Sequence, residues 1–121
     1  MFTAIVLDSE SQNECILRAI ALGLLPNGHP AKCHHVTLAM GKNHRSFRIG
    51  EARTLEVTHF GVLEGRVSAF RVLGADDSLN DVPHVTIAVY GDAKPKESND
   101  ITEWREVASR FLICGKVEIC D

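Results

Sequence analysis

The sequence predicts an α+β fold in which a mainly antiparallel sheet is covered by two outer helices. Three observations carry this. Segments rich in Val, Ile, Leu and Thr at 2–8, 33–40, 53–74, 83–90 and 111–120 read as strands, with 53–74 as a hairpin or meander. Apolar residues recur at three- or four-residue spacing in two other places, as helices require. The resulting order, strand, helix, strand, several strands, strand, helix, strand, suits helices packed outside a sheet.

The chain opens on a probable strand, Phe2 to Asp8. Ser9 or Ser11 then offers an N-cap, and Ser11-x-x-Glu14 has the form of a capping box. Ile16, Leu17, Ile20, Ala21 and Leu24 extend a helix to Leu24 or Leu25, and Pro26-Asn27-Gly28-His29-Pro30 ends it. A strand covers Cys33 to Met40, and a polar loop follows at 41–46. Residues 53–74 alternate in part, with Leu55, Val57 and His59 on one side and Glu56 and Thr58 on the other. A loop rich in Asp and Asn, 74–82, precedes the strand Pro83 to Tyr90. After the loop 91–99, Asn99 or Asp100 caps a second helix carrying Ile101, Trp104, Ala108 and Phe111, and 111–120 returns as the last strand. No linker or low-complexity run divides residues 1–121, so one domain is expected.

Composition bounds the function. The chain is 45% apolar and 24% charged with a net charge of −3, which disfavours a broad basic surface for long nucleic acid. Charge is nonetheless uneven. Residues 31–53 carry five bases (Lys32, Lys42, Arg45, Arg48, Arg53) against Glu51 alone, a patch suited to a small anion. No apolar run approaches the roughly 20 residues of a membrane span, and the N-terminus lacks a basic signal-peptide region. Cys15, Cys33, Cys114 and Cys120 form no CxxC pair, so reduced thiols and a cytoplasmic location are expected.

One string occurs nearly twice. His34-His35-Val36-Thr37-Leu38-Ala39-Met40 is echoed by Pro83-His84-Val85-Thr86-Ile87-Ala88-Val89, and His84 lies 49 residues after His35 (84 − 35). Side chains alternate along a strand, so His35 and Thr37 share one face, as do His84 and Thr86. Two imidazoles can serve as general base and general acid near neutral pH, and two hydroxyls can donate to phosphate oxygens. Ala39 and Ala88, at the next same-face positions, would leave room for a ligand. The chemistry needs no metal, since an imidazolium supplies positive charge, and no cofactor is expected.

These paired triplets, His35-Val36-Thr37 and His84-Val85-Thr86, resemble the two H-x-[ST] motifs of the 2H phosphoesterases. The stretch from His84 through Gly91, with Lys94-Pro95-Lys96-Glu97-Ser98-Asn99 after it, is similar to the cyclic phosphodiesterase domain of plant and fungal tRNA ligases and related RNA-repair proteins. The resemblance implies a bilobed, pseudo-twofold fold whose two HxT strands line a central groove. It implies hydrolysis of a 2′,3′-cyclic phosphate to a 2′-phosphate, with His35 and His84 catalytic and Thr37 and Thr86 holding phosphate. An RNA 3′ end or a small cyclic nucleotide would be the partner, with no membrane involved, and the chain could belong to a larger RNA-repair system. This chain is shorter than most such proteins and its motifs are closer together.

Tyr90, on the expected face of His84 and Thr86, is a candidate for stacking on a base, and Lys42 and Lys94, downstream of the two triplets, are candidate phosphate contacts. His34 is expected to face away from His35, and Ser98 and Asn99 to serve the loop and helix cap. Two other functions fit the same residues: degradation of cyclic oligonucleotide second messengers, or nucleotide binding without catalysis.

Overall fold

The computed structural model describes residues 1–26, 28–41 and 46–121. Its strands are β1 (Phe2–Leu7), β2 (His35–Met40), β3 (Ala52–Leu63), β4 (Val67–Leu73), β5 (His84–Val89) and β6 (Trp104–Cys120), with helix α1 (Ser9–Ala21) and a 3₁₀ helix, Pro95–Asp100. Every strand pairing is antiparallel, and the order β1-β2-β5-β4-β3-β6 closes into a barrel. The α+β class and the antiparallel sheet are thus as expected. The strands close one barrel and do not separate into two lobes.

Helix α1 begins one residue after Asp8, whose side chain accepts from the Ser11 N–H at 2.8 Å. Asp8 is therefore the cap, in place of Ser9 or Ser11. Ser11 sits inside the helix, and its hydroxyl accepts from the Cys114 N–H. The helix ends earlier than its apolar spacing suggests, because the Gly23 and Leu24 amides bond back to the Ile20 and Ala19 carbonyls. Its buried face is Ser11, Cys15 and Ala19, while Leu17 and Ile20 stay exposed.

The largest difference lies at 100–111. The helix expected there is absent; a 3₁₀ helix ends at Asp100 and β6 starts at Trp104. The spacing of Ile101, Trp104, Ala108 and Phe111 is overruled by pairing demand. Without β6, β1 and β3 would be open sheet edges with unpaired backbone groups. The 17-residue β6 covers both, pairing Trp104–Lys116 with β3 and Gly115–Cys120 with β1. A register irregularity between Val57 and His59 in β3 absorbs the mismatch, and from Phe111 onward β6 alternates, with Phe111, Ile113 and Val117 buried and Leu112 exposed.

One core fills the barrel and continues under α1. It includes Ile5, Val36, Leu38, Leu55, Phe70, Val85, Ile87 and Ile113, with Cys15 and Ala19 from the helix. Phe70 and Phe111 meet edge to face at 5.6 Å. A smaller cluster, Val67, Ala69 and Ile101 with Trp104 against it, lies outside and seats the segment around the 3₁₀ helix. Arg66 clamps that segment from β4's start, bonding both oxygens of Glu97 (2.9 and 3.0 Å) and Asp92 (2.6 Å). Among the described residues no helix is long and apolar enough to cross a membrane.

Candidate active site

The two repeated strings form neighbouring strands. β2 and β5 pair through Val36 and Val85, both fully buried in the core. Antiparallel register about that pair places His35 beside Thr86 and Thr37 beside His84, all on the face opposite the core. The pair is thus a local twofold centre relating one triplet to the other. The irregularities on either side obey the same relation. β2 skips Leu38 in its register with β1, and β5 skips Ile87 in its register with β4, each three residues past its histidine.

Main-chain bonds lock the halves together in the same reciprocal way. The segment entering the first triplet donates to the second: Cys33 N–H to the Thr86 carbonyl (2.9 Å) and Lys32 N–H to that of Ile87 (2.7 Å). The segment entering the second donates to the first: Ser78 Oγ to the Thr37 carbonyl (2.9 Å) and Leu79 N–H to that of Leu38 (2.7 Å). The four candidate side chains therefore sit on backbone held from both sides, as preorganised chemistry would require.

A groove of about 600 Å³ opens over this face, lined by His35, Thr37, His84 and Thr86. Lys32 from the approach to β2 and Lys96 from the 3₁₀ helix bring positive charge to it, and His34, Asn80 and Asn99 complete its polar wall. His84 is buried, and its Nδ1 donates to the Val82 carbonyl at 2.8 Å across the turn made by Pro83. That bond leaves Nε2 as the groove-facing nitrogen. His35 Nδ1 lies 3.1 Å from His34 Nδ1, so one imidazole donates to the other, and the Phe2 ring packs on His35 at 5.0 Å between centroids.

Burial, reinforced by the neighbouring His34 and His84, pushes His35 down to about 4. Burial also lowers His84, against the pull of the Val82 carbonyl, which favours the cation. Both imidazoles are therefore neutral in the free protein near pH 7. Thr86 Oγ1 is 3.0 Å from Ser98 Oγ, tying β5 to the 3₁₀ helix.

Several candidates fall elsewhere. Tyr90 does not line the groove: the irregularity at Ile87 breaks the alternation, and the ring packs against the main core with its hydroxyl donating to the Leu24 carbonyl at 2.5 Å. The same irregularities bury Ala39 and Ala88, which therefore do not open the groove. Lys94 is the residue before the 3₁₀ helix, engaged with Glu97 through its backbone and absent from the groove wall, where Lys96 stands instead. Lys42, with His44 and Arg45, lies outside the described residues.

No family model, curated protein or solved structure matches this chain.

His34 departs from expectation because Cys33 adopts a left-handed backbone (φ 45°), so strand alternation begins only at His35 and both imidazoles reach the same side. Lys32 belongs to the basic run but precedes its histidine, whereas the candidate cations Lys42 and Lys94 lie downstream of theirs. Lys96 was visible in Lys94-Pro95-Lys96; only the clamp by Arg66 decides which lysine turns to the groove. Cys15 and Cys33 are buried free thiols, each pushed up to about 12 by desolvation, and so unsuited to nucleophilic work.

Proposed function

We propose that the chain is a metal-independent phosphodiesterase that opens a 2′,3′-cyclic phosphate to a 2′-phosphate by two-histidine acid–base catalysis. The observation that carries this is the reciprocal placement of His35–Thr37 and His84–Thr86 about the Val36/Val85 pair, which sets two imidazoles and two hydroxyls around one groove. Such a groove suits an in-line displacement at phosphorus, with base and acid on opposite sides.

In this reading His35, the imidazole held most firmly neutral, takes the proton from water as its oxygen bonds to phosphorus. It does so at Nε2 when its Nδ1–H donates to His34 Nδ1. The bond from phosphorus to the 3′ oxygen breaks, and His84 gives that oxygen a proton from Nε2, its cation supported by the Val82 carbonyl at Nδ1. Thr37 and Thr86 donate to the non-bridging oxygens, and Lys32 and Lys96 offset their charge. The cyclic phosphate monoanion entering the groove raises both imidazole pKa values, which supplies the protonated acid that the free protein lacks.

The test is hydrolysis of nucleoside 2′,3′-cyclic phosphates with chelator present, with the product identified as 2′ or 3′. Turnover in chelator is expected, with His35→Ala and His84→Ala each reducing it by about 10²- to 10⁴-fold while the far-ultraviolet spectrum is retained. Full turnover in either variant refutes the assignment. A cyclic dinucleotide assayed alongside separates degradation of second messengers, and tight nucleotide binding without product would identify a binding module.

A further inference from the structure

The groove does not end at the triplets. A second cavity of about 210 Å³ adjoins it, and Asn80 and Asn99 line both. Its remaining wall combines Trp104, Ile101, Leu79 and Val82 with the polar side chains of Asp81 and Ser98. The Thr86–Ser98 hydroxyl contact lies at the junction, since Thr86 lines the groove and Ser98 the smaller cavity.

This cavity is built rather than incidental. Trp104 is half-buried and seated against Gly61, where a Cβ would come within 2.9 Å of the indole and 2.5 Å of Ile101. The opposite wall, Leu79 to Val82, is anchored at both ends: Leu79 N–H bonds the Leu38 carbonyl, and the Val82 carbonyl holds catalytic His84. Leu79 is 64% exposed, an apolar side chain at the rim. An indole with aliphatic side chains for stacking, and two carboxamides, a hydroxyl and the Asp81 carboxylate for hydrogen bonds, match a flat heterocycle, which needs an apolar face and donors and acceptors at its edge. The volume is below that of a whole small-molecule pocket and suits one ring system joined to a ligand lying in the groove.

We propose that this cavity is a nucleobase subsite, so that the substrate is a nucleotide whose base sits against Trp104 while its phosphate meets His35 and His84. The proposal rests on the phosphodiesterase reading for the position of the phosphate, and extends it by naming the base as a recognised part of the substrate. Asn80 and Asn99 stand between the two parts and can bond either the sugar or the base edge.

Trp104 is the chain's single tryptophan, so its emission reports this cavity alone. Adenosine 2′-monophosphate, the product of the proposed reaction on the adenosine substrate and itself not turned over, should change Trp104 emission saturably. Ribose 2-phosphate should bind about tenfold more weakly or worse, without that change. In turnover, the kcat/KM ratio of adenosine 2′,3′-cyclic phosphate to ribose 2,3-cyclic phosphate should be about ten or more, and should fall toward one in Trp104→Leu. The ratio cancels any general loss of activity caused by the substitution. Equal affinities, or no change in emission, overturns the subsite. Equal turnover of the two cyclic substrates also overturns it while leaving the phosphodiesterase reading intact. Binding with the emission change but no hydrolysis of either cyclic substrate supports the subsite and removes the hydrolytic reading.

Discussion

Replacing His35 by Gln should make the protein's stability less sensitive to acid, by an amount the site itself specifies. The His35 pKa falls from 6.5 to about 4 on folding, chiefly through burial and then through His34 and His84. An imidazole depressed in this way binds fewer protons folded than unfolded. Stability is therefore highest above the unfolded value and is lost as pH falls from about 6.5 toward 4. At 1.36 kcal/mol per unit, the difference is worth about 3 kcal/mol once pH is below both values, and about 2.5 kcal/mol of it is already lost near pH 4.5. Glutamine does not titrate, so His35→Gln removes this loss while His34, His84, Lys32 and Lys96 around the groove remain. Urea denaturation of both proteins near pH 7.5 and near pH 4.5 gives four free energies. The drop between the two pH values should be smaller in the variant by about 2.5 kcal/mol, whatever the substitution costs at neutral pH. Equal drops would mean that His35 titrates normally in the folded state, and the proposal that His35 is the neutral base would fail with it.

The remaining predictions concern rate and packing. The pH profile of kcat/KM should be a bell with its acid limb near 4, set by His35, and its alkaline limb below 6.5, set by loss of the His84 proton; an optimum above pH 7 would contradict the assignment. Thr37→Val and Thr86→Val should each lower kcat by about 10²-fold with the fold retained, as loss of a phosphate donor does, and unchanged steady-state rates would remove the hydroxyls from the mechanism. Tyr90→Phe should leave kcat/KM unchanged yet cost about 1–2 kcal/mol in urea denaturation, because the Leu24 carbonyl and Ser68 lose the phenol. Gly115→Ala should destabilise by about 3 kcal/mol or more: a Cβ there would press on the Val6 carbonyl group, its carbon only 2.8 Å away, where β6 passes β1. A melting temperature equal to the parent's would refute that close approach.

Much of the groove is legible from residue order alone. Val, Ile and Thr around each histidine make strands, alternation puts His35 with Thr37 and His84 with Thr86, and these facts hold for any arrangement of the strands. Alternation fails where the strand is not regular. The irregularity after each triplet turns Ala39, Ala88 and Tyr90 away from the groove, and the left-handed Cys33 turns His34 toward it. Neither feature has a strong local signature, since each arises from how one strand's register meets its neighbours. The 104–111 segment fails for a related reason: a weak 3.6-residue periodicity competed with two sheet edges that lie far away in sequence.

The sequence by itself determined that two imidazole–hydroxyl pairs would exist, because that depends only on residue identity and the two-residue period of a strand. Only the tertiary structure decided that the pairs would meet. The Val36–Val85 ladder joins residues far apart along the chain, and closure of the barrel by β6 keeps that ladder in place. The cations were decided there too, since Lys32 and Lys96 reach the groove through the pairing of Lys32 with Ile87 and the Arg66–Glu97 clamp, contacts whose partners are remote in sequence. Local periodicity sets what one strand presents; long-range pairing sets which strands present it to the same ligand.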